Sequence, residues 1–158
     1  SQKPFFFKIS TKDGDYDLKP ISGRLTTGGF IDYVQYMHYP DLKAKIRTRD
    51  KSPSFLIKFP AGQGDPRADI CIVKLKQGEK ENERELKMGT AHMFKVEIGN
   101  PDEEWIVKHE WNEEEGGLCR LKLRSDLSPG EYGLFHKSGS SEFGLANKNP
   151  LYDFGIDP

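Results

Sequence analysis

Asp13, Asp15 and Asp17 stand at alternate positions, the spacing with which a calcium loop presents its first oxygen ligands. Such a loop also needs glycine at its sixth position and a bidentate glutamate at its twelfth, and this chain has Leu18 and Arg24 there. A solvated turn is the expected reading. His109-Glu110 opens like a zinc-protease helix, but the residue four places after the histidine is Glu113 rather than a second histidine. Asp153-Phe154-Gly155 spells the magnesium-binding triplet of protein kinases, without a catalytic-loop aspartate or a glycine-rich phosphate loop to accompany it. Gly62-Gln63-Gly64 lacks the Lys-Ser/Thr pair of a phosphate loop. His38, His92, His109 and His136 show no ligand spacing, although His109 and His136 could meet on neighbouring strands. The expectation is therefore no metal site, no cofactor and no catalytic set legible along the chain.

The two cysteines, Cys71 and Cys119, carry neither a metal pattern nor a nucleophile signature. Each falls on the apolar side of an alternating segment, Cys71 with Val73 and Leu75, Cys119 with Leu121 and Leu123. Two readings stay open: an inter-sheet disulfide, or two reduced, buried thiols acting as small hydrophobes. Arg120, Lys122 and Arg124 form a cationic stripe that Glu104 and Glu113 to Glu115 can offset, as on the charged outer face of a sandwich. The Lys/Glu-rich stretch from Lys74 to Lys87 alternates in sign and reads as a solvated hairpin. Phe30, Tyr33, Tyr36 and Tyr39 are the candidate contact surface for a ligand or partner. Tyrosine offers a flat apolar face with a polar tip, suited to a glycan or a protein interface. The competing reading makes this stretch a lid over one end of the fold.

These residues must be positioned by strands. Period-2 alternation predicts strands at Phe5 to Ile9, Tyr16 to Leu18, Lys43 to Arg49, Ser54 to Phe59, Ile70 to Lys76 and Arg84 to Met88. It predicts more at Met93 to Ile98, Glu104 to Trp111, Leu118 to Arg124, Glu131 to His136 and Leu151 to Phe154. Turn signals separate them: Asp13-Gly14, Gln77 to Asn82, Asn112 to Gly117, and a mobile-looking Gly/Ser/Asn-rich loop from Lys137 to Asn149. Residues 30–39 resist this pattern, because their bulky side chains recur every three or four positions. A short helical segment or an irregular strand fits there.

Leu127-Ser128-Pro129-Gly130-Glu131-Tyr132 is the most specific local signal. Pro-Gly makes the turn, and Tyr132 enters the next strand close to it. This resembles the tyrosine corner of immunoglobulin-like and fibronectin-III-like sandwiches, in which the tyrosine hydroxyl satisfies a backbone group of the corner. Tyr152, Phe154 and Ile156 alternate with Asp153 and Gly155, as in a last strand that docks its apolar side on the core. A longer series also stands out: Asp69 to Lys76, Asn82 to Leu86, Leu127 to Tyr132, and Tyr152 to Ile156. It resembles a family of uncharacterised bacterial proteins with L-x-PGEY and YDFG motifs. The resemblance implies a secreted or envelope location in many members and carries no activity, hence no functional residues.

The chain has 158 residues, a net charge of −1, 35% apolar and 31% charged residues. That length fits a single domain over 1–158 with a core of its own. Balanced charge argues against a nucleic-acid binder, and no run approaches the ~18 apolar residues of a membrane span. The opening Ser1-Gln2-Lys3-Pro4 shows no signal peptide, which a mature periplasmic or extracellular chain would also lack, and a cytoplasmic location stays open. The expected fold is all-β: a two-sheet antiparallel β-sandwich, immunoglobulin-like, with one short helical or irregular segment near 30–39. Leu127, Pro129, Gly130, Tyr132 and Phe154 are its structural markers. The expected function is a non-enzymatic binding or structural module of unknown ligand, glycan or protein. The alternatives are a hydrolase whose carboxylates the fold assembles, and an interaction module that pairs through an exposed edge strand.

Overall fold

The computed structural model describes residues 6–29, 33–60, 62, 64–78, 82–92, 95–96, 100–137 and 150–158. Its strands are β1 Phe6–Thr11, β2 Gly14–Asp17, β3 Pro20–Ile21, β4 Arg24–Gly28, β5 Tyr33–Pro40, β6 Arg47–Thr48 and β7 Ser54–Lys58. They continue with β8 Ile70–Gln77, β9 Glu83–His92, β10 Lys95–Val96, β11 His109–Glu113, β12 Leu118–Leu123, β13 Gly130–His136 and β14 Leu151–Ile156. Helical structure among the described residues is limited to one turn at Pro66–Asp69 and 3-10 turns at Glu103–Trp105 and Glu115–Gly117. The fold is all-β and sandwich-like, as the alternation predicts. The smaller sheet runs β11-β12-β7-β1-β2 and the larger β3-β14-β13-β8-β9-β5-β4, with β10 added on β9 and β6 lying parallel to β14.

The larger sheet is not a flat layer. Strands β8 and β9 pair only at Lys76↔Glu85 and Gln77↔Arg84, then diverge. Residues 100–107 fill the gap between them. The Gly89 amide donates to the Asn100 carbonyl at 2.7 Å, the Asp102 amide to Lys87 at 2.9 Å, and the Val107 amide to Ile72 at 2.9 Å. This strap satisfies backbone groups that the divergence would leave bare. Beyond it the sheet doubles back, so that Arg84 of β9 reaches Asp153 of β14 at 2.8 Å, although β8 and β13 intervene in the strand order. The two ends of the roll, β3 and β4, are joined through Ser22-Gly23 alone. There is no room there for a side chain: a Cβ on Gly23 would lie 2.7 Å from the Tyr39 ring and 2.9 Å from the His38 carbonyl oxygen.

Two apolar clusters result. Phe7, Ile9, Phe55, Ile57 and Leu121 of the smaller sheet pack on Ile72, Leu134, Tyr152, Phe154 and Ile156. Inside the roll, Met37, Tyr39, Leu86, Met88 and Trp105 pack on Cys71, Val73, Leu75, Phe135 and Leu151. Strands β8, β13 and β14 therefore form a middle layer covered on both faces. Continuous apolar runs such as Ile70-Cys71-Ile72-Val73 and Leu134-Phe135 suit that position.

Three expectations need revision. Residues 33–40 are a strand, so of the two readings the irregular strand holds and the helix does not. A bulge between Val34 and Tyr36 shifts its register against β9, which makes the apolar spacing look helical. Lys43 to Arg49 yields strand only at Arg47–Thr48. The chain nevertheless follows β14, because the Gly155 amide donates to Ile46 and the Asp157 amide to Thr48. Glu104 to Trp111 divides into the 3-10 turn, which Asp102 caps by accepting from the Glu104 amide at 3.0 Å, and β11. Met93 to Ile98 lies partly outside the described residues, with Lys95–Val96 present as β10. The hairpins at Asp13-Gly14 and at Asn112 to Gly117 form as expected, joining β1 to β2 and β11 to β12.

Candidate functional site

The corner residues take the expected geometry. The Tyr132 hydroxyl donates to the Ser128 carbonyl at 2.8 Å, and its ring stacks on Phe154 with centroids 5.8 Å apart. Leu127 is buried in the inter-sheet core, and Pro129 and Gly130 make the turn between it and Tyr132. Burial raises the Tyr132 pKa above its ordinary value.

Cys71 and Cys119 are free thiols, both buried, so the disulfide is not formed. The reason is parity in a strand with two buried faces. Cys71 points into the roll with Val73 and Leu75, whereas Ile70 and Ile72 face the sheet that carries Cys119. Burial pushes the Cys71 thiol up to about 11, against a smaller opposing pull from Lys137.

The aromatic stretch does not form one surface. Tyr39 is fully buried inside the roll, and Tyr36 is half-buried with its ring edge-on to Trp105 at 6.4 Å. Tyr33 opens β5 opposite Ala91, and Phe30 lies outside the described residues. Tyr39 thus offers nothing to a partner, because the register after the bulge sends it inward beside Met37. His136 is buried beside Phe7 and Phe59, and His109 on β11 contacts the Val107 carbonyl through Nδ1 at 2.7 Å. Among the described residues no group of three or more His, Cys, Asp or Glu side chains could hold a metal ion. In the cationic stripe, Arg120 is paired with Glu114 at 2.6 Å.

The most developed concavity lies beside β3 and the end of β5. It encloses about 410 Å³. Pro20, Ile21, Pro40 and Ile46 make its apolar bed, Lys19, Lys43 and Lys45 stand around it with Asp17 and Asp41, and Arg84 and Asp153 close the depth. Among the described residues those three lysines make no ion pair. Arg84 is 2% exposed yet fully engaged. Its Nε donates to the Asp41 carbonyl at 2.8 Å, and Nη2 donates to the Pro40 carbonyl at 3.1 Å and to Asp153 at 2.8 Å. Nη1 reaches Glu131 at 3.3 Å. Glu131 in turn accepts from the Ala44 amide at 2.6 Å and pairs with Arg47 at 2.9 Å, and Arg47 also pairs with Asp157 at 2.8 Å. Burial works against the Arg47 charge, but the bonds to Asp157 and Glu131 outweigh it and hold its pKa above the ordinary arginine value. Gly155 lies directly under the Arg47 guanidinium, where any side chain would displace it. The cleft wall is further fixed at Asp41, whose left-handed φ of 70° is held by an amide bond of 2.7 Å to the Asn82 carbonyl.

Sequence reasoning placed Arg84 in a solvated hairpin. The signal that corrects this was present: Arg84 shares parity with Leu86 and Met88, both buried. A second assembly was not legible at all. Thr26, His38 and Glu83 stand on three adjacent strands. Thr26 Oγ1 is 2.7 Å from His38 Nε2, and His38 Nδ1 is 3.3 Å from Glu83 Oε1. Arg24 Nη2 bonds both Glu83 oxygens at 3.0 and 3.1 Å. Comparison with protein-family models, curated proteins and solved structures finds no match to this chain.

Proposed function

We propose that this chain is a binding module whose recognition site is the cleft beside β3 and β5, and that its ligand is a short peptide segment carrying both charge signs around an aliphatic residue. The lining carries this reading. The cleft volume is in the range of pockets that enclose a few residues or a small molecule. Its bed is proline and isoleucine, with no aromatic side chain among the lining residues for a sugar ring to stack on, which favours peptide over glycan. Unpaired lysines and aspartates around an apolar bed suit a polypeptide bearing opposite charges. The Arg84 network keeps the floor rigid, so little ordering opposes binding.

The carboxylate hydrolase is less favoured here, because Asp153, the deepest carboxylate of the cleft, is committed to Arg84. The corner at Tyr132 supports grouping the sandwich with immunoglobulin-like modules, and work outside the cytoplasm belongs to the same proposal through the motif resemblance alone. The test is amide NMR of the labelled protein titrated with a pooled library of random hexapeptides, and separately with mixed oligosaccharides. Peptide-induced shifts concentrated at residues 19–21 and 40–46, lost in a Lys43→Glu/Lys45→Glu double variant, are expected. Shifts with sugars only, or peptide shifts that the double variant leaves unchanged, would overturn the proposal.

A further inference from the structure

Three groups on the outer face of β4, β5 and β9 stand in the order of a nucleophilic relay: hydroxyl, imidazole, carboxylate. Their protonation follows from the geometry. A glutamate carboxylate ordinarily only accepts, and Arg24 holds both Glu83 oxygens from the side away from the ring. With Glu83 Oε1 at 3.3 Å, the His38 proton belongs on Nδ1. Nε2 then carries the lone pair, and the hydroxyl 2.7 Å away must be the donor. Thr26 therefore points its O–H at a base that an anion polarises from behind, which is the arrangement that activates a hydroxyl for attack. His38 and Glu83 side chains are only 11% and 14% exposed, so the relay is shielded. Thr26 itself is partly exposed on the outermost strand of the roll.

We propose that Thr26, His38 and Glu83 form an acyl-transfer site, separate from the peptide cleft, that acts on small carboxylic esters. Thr26 Oγ1 bonds to the acyl carbon and its proton passes to His38 Nε2. The ester C–O bond breaks, and the departing alcohol takes that proton. Water then repeats the sequence on the acyl-threonine, releasing the acid and restoring the hydroxyl. Glu83 is a positioning residue: it fixes the tautomer and balances the imidazolium. Arg24 holds Glu83 in turn. The site lies on an open sheet face flanked by Tyr36, whose ring centroid is 6.5 Å from that of His38. Aryl esters of short acids are the substrate class that such a flank accommodates, the leaving group resting on the tyrosine.

The experiment uses 4-nitrophenyl acetate with the full chain, following nitrophenol release and mapping acetyl groups by peptide mass spectrometry. Acetate is expected on the peptide containing Thr26. Thr26→Val and His38→Gln should each slow release by about 100-fold or more, the usual share of a general base and its nucleophile. Glu83→Gln should lower kcat with KM little changed, and Glu83→Asp should restore part of the loss, a split that mere stapling of the strands would not produce. Thermal midpoints establish that each variant is folded. If Thr26→Val does not fold, the acetyl map of the unaltered chain decides. Acetate on lysines alone, with no acyl-Thr26 at early times, or release unaffected by folded Thr26 and His38 variants, overturns the proposal while leaving the peptide-cleft reading untouched.

Discussion

Tyr132 and Arg84 sit on the same layer, and each satisfies backbone carbonyls that the chain cannot satisfy with its own ladder. Tyr132 serves one, at Ser128; Arg84 serves two, at Pro40 and Asp41. Removing the tyrosine hydroxyl leaves a carbonyl at the corner short of its donor. We expect Tyr132→Phe to lower stability by about 1 kcal/mol in urea unfolding, with the ring still stacked on Phe154; a change within error would mean that water replaces the hydroxyl without loss. The corner was legible because its turn residues and its tyrosine are adjacent in sequence. Arg84 was not, since an alternation of charge sign looks the same whether the strand faces water or the inside of a roll. Its partners Glu131 and Asp153 come from strands far along the chain, and only the doubled-back sheet brings them within reach. The same distance hid Thr26, His38 and Glu83: no spacing rule connects residues that meet diagonally across three strands.

At the scale of elements, the strap at residues 100–107 decides the shape. It stands between two strands that would otherwise pair along their length, and Trp105 is its anchor. The indole is 8% exposed, packs in the inner cluster, and lies under the Lys76 ammonium, 4.6 Å from the ring centre. Trp105→Ala should cost about 3–5 kcal/mol, the usual range for emptying a buried indole site. Hydrogen exchange at the Gly89, Asp102 and Val107 amides should accelerate ahead of the β1 and β7 amides. Uniform acceleration would mean that the strap has no independent part. Sequence patterning had assigned this region to one long strand. Alternation does run through it, but Asp102 caps a turn there and breaks the ladder, and the gap it fills has no sequence signature. The strand at 33–40 was obscured differently, by a bulge that adds one residue and resets the parity.

For the molecule as a whole, the middle layer governs how stability responds to alkali. Cys71, Tyr39 and Tyr152 all titrate with difficulty there, because burial disfavours their anions. Folded Cys71 keeps its proton up to about 11, while the unfolded thiol loses it near the ordinary value of 9.0. Stability is thus fully present below pH 9 and falls as pH rises toward 11, by roughly 2–3 kcal/mol from this thiol. The two tyrosines extend the decline upward from their ordinary value of 10.0. Urea midpoints measured from pH 7 to 11 should show this slope, and Cys71→Ala should flatten its lower part; a level profile would contradict the burial. That layer has one more consequence. Strand β14, the last in sequence, lies between β13 on one side and β3 and β6 on the other, with apolar residues of β1 and β7 pressed on its face. A growing polypeptide leaving the ribosome can form hairpins early, but it cannot close its architecture until Ile156 has cleared the exit tunnel. Until then the inner surfaces of both sheets wait uncovered, and the nascent chain depends on whatever shields oily surfaces during synthesis.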